Sequence, residues 1–337
     1  DIVEEKKPEL LNEIEDAIKA KFDGRRARGM DFEWKPQTVS FLRVLRTHSH
    51  DINEDSEDDK KVKYLLSNYS TEDIKIADLL VNKQVRQFVI RLAQLKKITN
   101  KDINETIKTK EIEILRSLNL IKEEKLITCK QDQHTICIIS NEDYIQKGQK
   151  NAPRCSLCNR YLFEENIVPV FSLTEKCKEM INNSKWMQIW ITELLIKSGI
   201  KKERIKWGIE ANGEELDIMV EDYNLRFFFE LKDREFGLGD AYPFAYRIKR
   251  YAGKYGIVVT TDTVSNDAKK YFAEENEDSA TKIKWLEGSN GIEEGIPKIV
   301  EEMSLSQINQ TIQPFSDRIG FNLWPIIESK IKQNITN

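Results

Sequence analysis

The run GIVVTTD (256–262) is almost uninterrupted in its apolar character. A strand of this kind is buried on both faces, which places it inside a sheet covered by helices on either side. Its neighbours extend the pattern. LTEKCKEMINNSKWMQIWITELLIKSGI (173–200) reads as one or two helices ending at Gly199, and ERIKWGIEA (203–211) and EELDIMV (214–220) read as strands. EDYN (221–224) reads as a four-residue turn before the strand LRFFFELK (225–232). PFAYRIKRYAGKY (243–255) is helical, SNDAKKYFAEE (265–275) is a helix capped by Ser265, and TKIKWLE (281–287) is a last strand. The order α-β-β-β-α-β-α-β predicts an α/β domain at about 170–300, a mixed sheet flanked by helices.

The two strands around EDYN carry acids among apolar residues. Alternation puts Leu216, Ile218 and Val220 on one face and Glu215, Asp217 and Met219 on the other. On the next strand Phe227, Phe229 and Leu231 share a face, opposite Phe228, Glu230 and Lys232. With a four-residue turn, Val220 pairs with Leu225, and Glu230 is a diagonal neighbour of Asp217 facing Glu215. Carboxylates gathered on one face repel unless a cation offsets them, and Mg²⁺ suits such oxygen donors. Lys232 would stand beside the metal, placed to orient or help deprotonate a water. The plain alternative is a solvated hairpin face with a Glu–Lys pair, against which Phe228 and Met219 on that face argue.

Asp217, then Glu230-Leu231-Lys232 thirteen residues later, then a helix and GIVVTTD, resemble the PD-(D/E)xK nuclease superfamily, particularly its Mrr-like and restriction-endonuclease-like branches. The resemblance implies metal-dependent hydrolysis of DNA, with Mg²⁺ (or Mn²⁺) held by Asp217, Glu230 and the Leu231 carbonyl, and Lys232 assisting the water. It also implies a glutamate on the preceding helix, where this chain has Gln188; Glu193, five residues on, is rotated by about 140° and should point elsewhere. Arg247, Lys249, Arg250 and Lys254 are expected to contact phosphate. Restriction of foreign DNA is the family's commonest setting. Competing readings are a DNA-binding or assembly protein whose nuclease fold is inactive, and an RNA-directed or effector-activated nuclease.

Ahead of this domain, VRQFVIRLAQLKKIT (85–99), NKDINETIK (100–108), TKEIEILRSLNLIKEE (109–124) and LITCKQDQHTICII (126–139) read as helix, short helix, helix and hairpin. With LRSLNLI (115–121) before a two-stranded wing, the order resembles the winged helix-turn-helix family, and a winged-helix module is expected over 71–165. That family's third helix enters the DNA major groove; here Lys108, Lys110 and Arg116 stand against Glu111 and Glu113. A packing or dimerisation module, making a homodimer, is the alternative.

All five cysteines fall between Cys129 and Cys177, an odd number that argues for a reducing, cytoplasmic setting and a metal site over a disulfide framework. RCSLCNRYLF (154–163) has the form of a zinc knuckle. A structural Zn²⁺ is expected on Cys155, Cys158, Cys129 and one of His134, Cys137 or Asp132. Reduced thiols with no metal are the alternative. His48 and His50, two of three histidines, lie by the polar run HDINEDSEDDKK (50–61), and no histidine accompanies a nucleophile signature, which disfavours a Ser/His/Asp triad. Residues 1–70 read as a helical N-terminal region and 301–337 as a helical tail. No signal-peptide pattern or membrane-length apolar run is seen. The net charge of -4 conceals any local basic patch.

Overall fold

Every residue from Leu225 to Leu231 is buried, so this strand lies in the middle of the protein. The structure, a computed structural model, describes residues 63–66, 68–95, 98–99, 109–140, 145, 152–211, 214–222, 225–251, 253–319, 322 and 324–325. Its first half runs β1 (Lys63–Leu66), α1 (Thr71–Val81), α2 (Lys83–Leu95), β2 (Ile98–Thr99), α3 (Thr109–Ser117), β3 (Ile121–Thr128), β4 (Thr135–Ile139) and β5 (Asn166–Leu173). The second half runs α4 (Glu175–Ile181), α5 (Lys185–Lys197), β6 (Ile205–Ala211), β7 (Glu214–Asp222), β8 (Leu225–Lys232) and α6 (Leu238–Arg250). It ends with β9 (Tyr255–Thr260), α7 (Asn266–Asp278), β10 (Lys282–Glu287) and α8 (Gly288–Ile319).

A six-stranded sheet has the order β1-β6-β7-β8-β9-β10. It is antiparallel from β1 to β8 and parallel from β8 to β10, where α6 and α7 make the crossovers. The expected mixed sheet flanked by helices is therefore present. Local chemistry sets its helix ends. Ser265 accepts from the Ala268 amide at the start of α7. After α5, Gly199 takes φ 103 while Ile200 N–H reaches back to the Leu195 carbonyl, a turn that favours glycine.

Alternation sends β8 to two cores. Phe227, Phe229 and Leu231 join α5 (Trp186, Ile189, Trp190) and α8 (Ile292, Ile296) on one side. Phe228 packs with Phe244 and Ile248 of α6 and Phe272 of α7 on the other. The hairpin register differs from expectation. Asp222 pairs with Leu225, so the turn holds two residues and not four, and the pairing moves by two positions. A shift of two preserves every face, which is why the core assignment survives. Leu216 is the exception, packing with Met219 and Phe228 instead of with Ile218. The alternation slips at Asp217, which lies between the Trp207↔Ile218 and Ile209↔Leu216 pairs opposite Gly208, whose φ is 48.

The front half differs more. Residues 1–62 and the short helix expected at 100–108 lie outside the described residues, as do His48 and His50. Lys63–Leu66, read as part of a helical region, is instead an edge strand paired with β6. The hairpin expected as a wing forms between β3 and β4, but β5 pairs along the other side of β3. The result is a four-stranded antiparallel sheet, β2-β5-β3-β4, and not a free two-stranded wing. The C-terminal helix begins at Gly288 and buries Ile292, Ile296, Ile299 and Met303, so it is part of the core before it becomes a tail. Among the described residues no helix is long and apolar enough to cross a membrane.

The two halves share one core: Ile76, Leu80, Phe88, Leu115 and Phe171 belong to the same cluster as Trp186 and Phe227. Arg86 of α2 is the polar rivet in this contact. It donates to the Leu80 and Val81 carbonyls at 2.7 and 3.0 Å and lies over the Trp186 ring. Its Nε is 2.7 Å from Asp233 Oδ1, the residue after β8, with side chains only 6% and 17% exposed. Removing one partner of a buried pair strands the other's charge. Arg86→Met is thus expected to lower unfolding free energy by about 3–5 kcal/mol, and adding Asp233→Asn to recover part of that loss, both measured by urea denaturation.

Candidate active site

The acids of the hairpin meet where the β7–β8 ladder ends. The last pair is Ile218↔Phe229, so Asp217 and Glu230 are the next residues on each strand. Continued past its last pair, the register sets them opposite each other and not diagonal, a consequence of the shorter turn. Asp217 Oδ2 accepts the Leu231 amide at 2.7 Å, extending the contact past the last ladder pair. Lys232 Nζ donates to Glu230 Oε1 at 2.9 Å. Asp217, Glu230, Leu231 and Lys232 are therefore brought together.

Glu230 is 5% exposed and held on both oxygens. Arg247 of α6 approaches Oε2 at 2.9 Å, and its other terminal nitrogen donates to the Glu215 carbonyl. Burial, then the neighbouring Glu230 charge, push the Asp217 carboxyl up to about 7. Burial works against the Lys232 ammonium, but the charge and hydrogen bond of Glu230 more than offset it, and its pKa lies above the ordinary 10.5. The site thus joins a carboxyl reluctant to ionise to a lysine reluctant to lose its proton.

Gln188 of α5 lies beside Asp217. It is 9% exposed and its Nε2 donates to the Asp217 carbonyl at 3.3 Å. It steadies the backbone of Asp217 without supplying charge. Glu193, five residues on, instead accepts the Tyr69 hydroxyl at 2.6 Å.

The expected basic helix face is dispersed. Arg247 is 14% exposed and committed to Glu230, because a buried carboxylate needs a cation nearer than any phosphate. Lys249 pairs with Glu275 of α7, and Arg250 lies over the Tyr251 ring. Lys254 immediately precedes Tyr255, at the opposite end of β9 from Thr260, the partner of Lys232. In the front module, Arg116 of α3 pairs with Glu123 at 2.7 Å and stacks on Phe171, which consumes part of that helix's basic surface. Arg86 and Asp233 were not readable as a pair, since 147 positions of chain separate them and neither lies in a motif.

The cysteines form a second cluster. Cys129, Cys155 and Cys158 place their sulfurs within 4.8 Å of one another, as does Glu165 with a carboxylate oxygen. Cys129, Asp132 and His134 form an overlapping group. Cys137 belongs to neither; in β4 it pairs with Ile127. Hydrogen bonding from the Cys158 amide draws the Cys155 thiol down to about 7, while the Glu165 carboxylate pushes Cys158 up to about 12. Glu165 was not foreseen, because a single acid before a strand carries no spacing signal.

No protein-family model matches the sequence, and no curated protein does. Among solved structures, the chain is similar to Can2 from Sulfobacillus thermosulfidooxidans in complex with cyclic tetra-adenylate, at 15% identity and TM-score 0.44, over 78% of this chain and 60% of that one. It is similar to a protein of unknown function at 20% identity and TM-score 0.25, over 30% and 56% of the two chains. A repair endonuclease from Pyrococcus abyssi matches at 12% identity and TM-score 0.21, over 57% and 97%. The chain thus spans under two thirds of the first two, and likeness at this level assigns neither activity nor substrate.

The raised Asp217 pKa has a consequence in metal-free protein. An acid that titrates near 3.8 unfolded and about 7 folded opposes folding increasingly as pH rises between those values. In EDTA, the melting temperature of Asp217→Asn relative to the unmodified protein is expected to rise from pH 4.5 to pH 7.5, read by scanning calorimetry.

Proposed function

We propose that the chain is a metal-dependent endonuclease that hydrolyses DNA, with restriction of foreign DNA as its setting. The observation that carries this reading is the convergence of Asp217, Glu230 and Lys232 at the end of one hairpin, with the Asp217 carboxylate seated on the Leu231 amide. The donor set fits Mg²⁺ (or Mn²⁺): oxygen ligands in a crowded acidic site, one of whose protons is retained to about pH 7. Asp217, Glu230 and the Leu231 carbonyl would hold it. Bound there, the metal supplies a polarised phosphate and a water of lowered pKa.

The chain's own groups do the rest. Lys232 keeps its proton and so acts as a charged donor, orienting the water and facing developing negative charge on the phosphate. Arg247 holds Glu230 from the α6 side, and Gln188 fixes the Asp217 backbone from the α5 side. In this reading the metal of the cysteine cluster is zinc, structural, with no part in hydrolysis. A second reading, a DNA-binding or assembly protein with an inactive site, is favoured by one observation: the amide of Gln188 stands where a third carboxylate would add charge.

Purified protein incubated with plasmid, linear duplex, single-stranded DNA and RNA, with Mg²⁺ or Mn²⁺, separates these readings. Cleavage of DNA is expected, falling to background in Asp217→Ala and by about 10²–10⁴-fold in Lys232→Ala. Gln188→Ala, which acts through a neighbour, is expected to cost about 10–100-fold. DNA left intact under every condition contradicts the enzyme reading. Equal cutting by the unmodified protein and both site variants contradicts the residue assignment.

A further inference from the structure

Ile127, Cys129, Ile145, Cys155 and Leu162 form a buried cluster separate from the two large cores. Five buried side chains, two of them cysteines, are few to fix the chain between β4 and β5. Small units of this kind need a cross-link or a metal.

Two turns meet in this cluster, and they are the same turn twice. In the first, the Cys129 amide donates to the His134 carbonyl and the Gln133 amide to the Cys129 carbonyl, both at 2.9 Å. In the second, the Cys155 amide donates to Arg160 at 2.8 Å and the Asn159 amide to Cys155 at 2.9 Å. The fifth residue of each turn is left-handed without being glycine, Gln133 at φ 57 and Asn159 at φ 60. In each, the first cysteine is hydrogen-bonded by the backbone two and three residues on: Gln131 and Asp132 for Cys129, Leu157 and Cys158 for Cys155.

The distances between these turns suit a tetrahedral ion. Zinc bonds of about 2.3 Å to sulfur and 2.0–2.1 Å to nitrogen set ligand atoms about 3.6–3.8 Å apart. Cys129 Sγ and Cys158 Sγ are 3.6 Å apart, and Cys155 Sγ and His134 Nε2 are 3.8 Å apart. These two contacts share no atom and link the two turns; the three sulfurs lie within 4.8 Å of one another, and His134 groups with Cys129 and Asp132. His134 Nδ1 lies 3.1 Å from Asp132, the carboxylate contact that orients a metal-binding imidazole through its other nitrogen.

Glu165 is the rival fourth ligand. Its Oε2 accepts the Lys130 amide at 2.6 Å and its Oε1 contacts Cys158 Sγ at 3.0 Å. Both Glu165 oxygens already have partners, the Lys130 amide and Cys158. His134 instead turns Nε2 to Cys155 Sγ while Nδ1 is held by Asp132.

We propose that Cys129, His134, Cys155 and Cys158 bind one zinc ion, each of the two matched turns giving two ligands, with Asp132 and Glu165 as outer carboxylates. The inference rests on the structural-zinc reading of this cluster and is independent of the nuclease reading. The ion clamps the tip of the β3–β4 hairpin to the chain leading into β5.

The test is zinc content by mass spectrometry on the full chain, with the visible spectrum of the Co²⁺-exchanged protein. One zinc per chain and a cobalt spectrum of three thiolates and one imidazole are expected. Cys155→Ser and His134→Ala should lose zinc, His134→Cys should regain it with an added thiolate band, and Glu165→Gln should keep one zinc and an unchanged spectrum. Absence of bound zinc or cobalt in the unmodified protein overturns both the zinc reading and the ligand set. Zinc that survives His134→Ala, or is lost in Glu165→Gln, overturns the ligand set alone.

Discussion

Glu230 is a carboxylate at the centre of the protein, and much of the surrounding structure can be understood as what it takes to keep it there. A charge 5% exposed is costly unless it is paired and hydrogen-bonded. Lys232 serves one oxygen and Arg247 the other, which fixes α6 over the end of β8. Asp217 closes the hairpin on the Leu231 amide, opposite Gly208, whose φ is 48. One residue beyond Lys232, Asp233 is bound by Arg86 and by the Thr261 hydroxyl at 2.5 Å. Helices from both halves of the chain therefore converge on four consecutive residues, 230–233, at one strand end.

Such investment in buried polar contacts makes little sense as packing alone. Apolar residues of similar size would fill the same volume without desolvating two acids. Polar groups kept against this cost are expected where chemistry uses them. Gln188 fits the pattern only in part, since it supports Asp217 through its backbone and adds no charge. Asp217 and Glu230 therefore stand together with Gln188 beside them as a neutral neighbour.

What was readable in the sequence follows physical range. The strand at 225–232 and its faces were legible because alternation is local, and Ser265 and Gly199 because caps depend on a few neighbouring residues. The register was not, because it turns on whether Glu221 and Asp222 belong to the turn or to the ladder, and both readings give the same faces. The pairing of β5 beside β3 was hidden, since its partners lie about forty residues upstream. Arg247 looked like phosphate-binding surface because a helix sequence does not show which buried acid will claim its charge. The C-x-x-C turn was legible from its spacing, but its companion turn at Cys129 has no second cysteine at the matching position, where Asp132 stands.

The most direct measurement is Mn²⁺ binding to the zinc-loaded full chain, followed by electron paramagnetic resonance in the absence of nucleic acid. Binding that is abolished by Asp217→Asn and strongly weakened by Glu230→Gln, while Lys249→Gln leaves it unchanged, is the predicted result. Mn²⁺ that binds equally well to the unmodified protein and to Asp217→Asn, or fails to bind at all, would contradict the account.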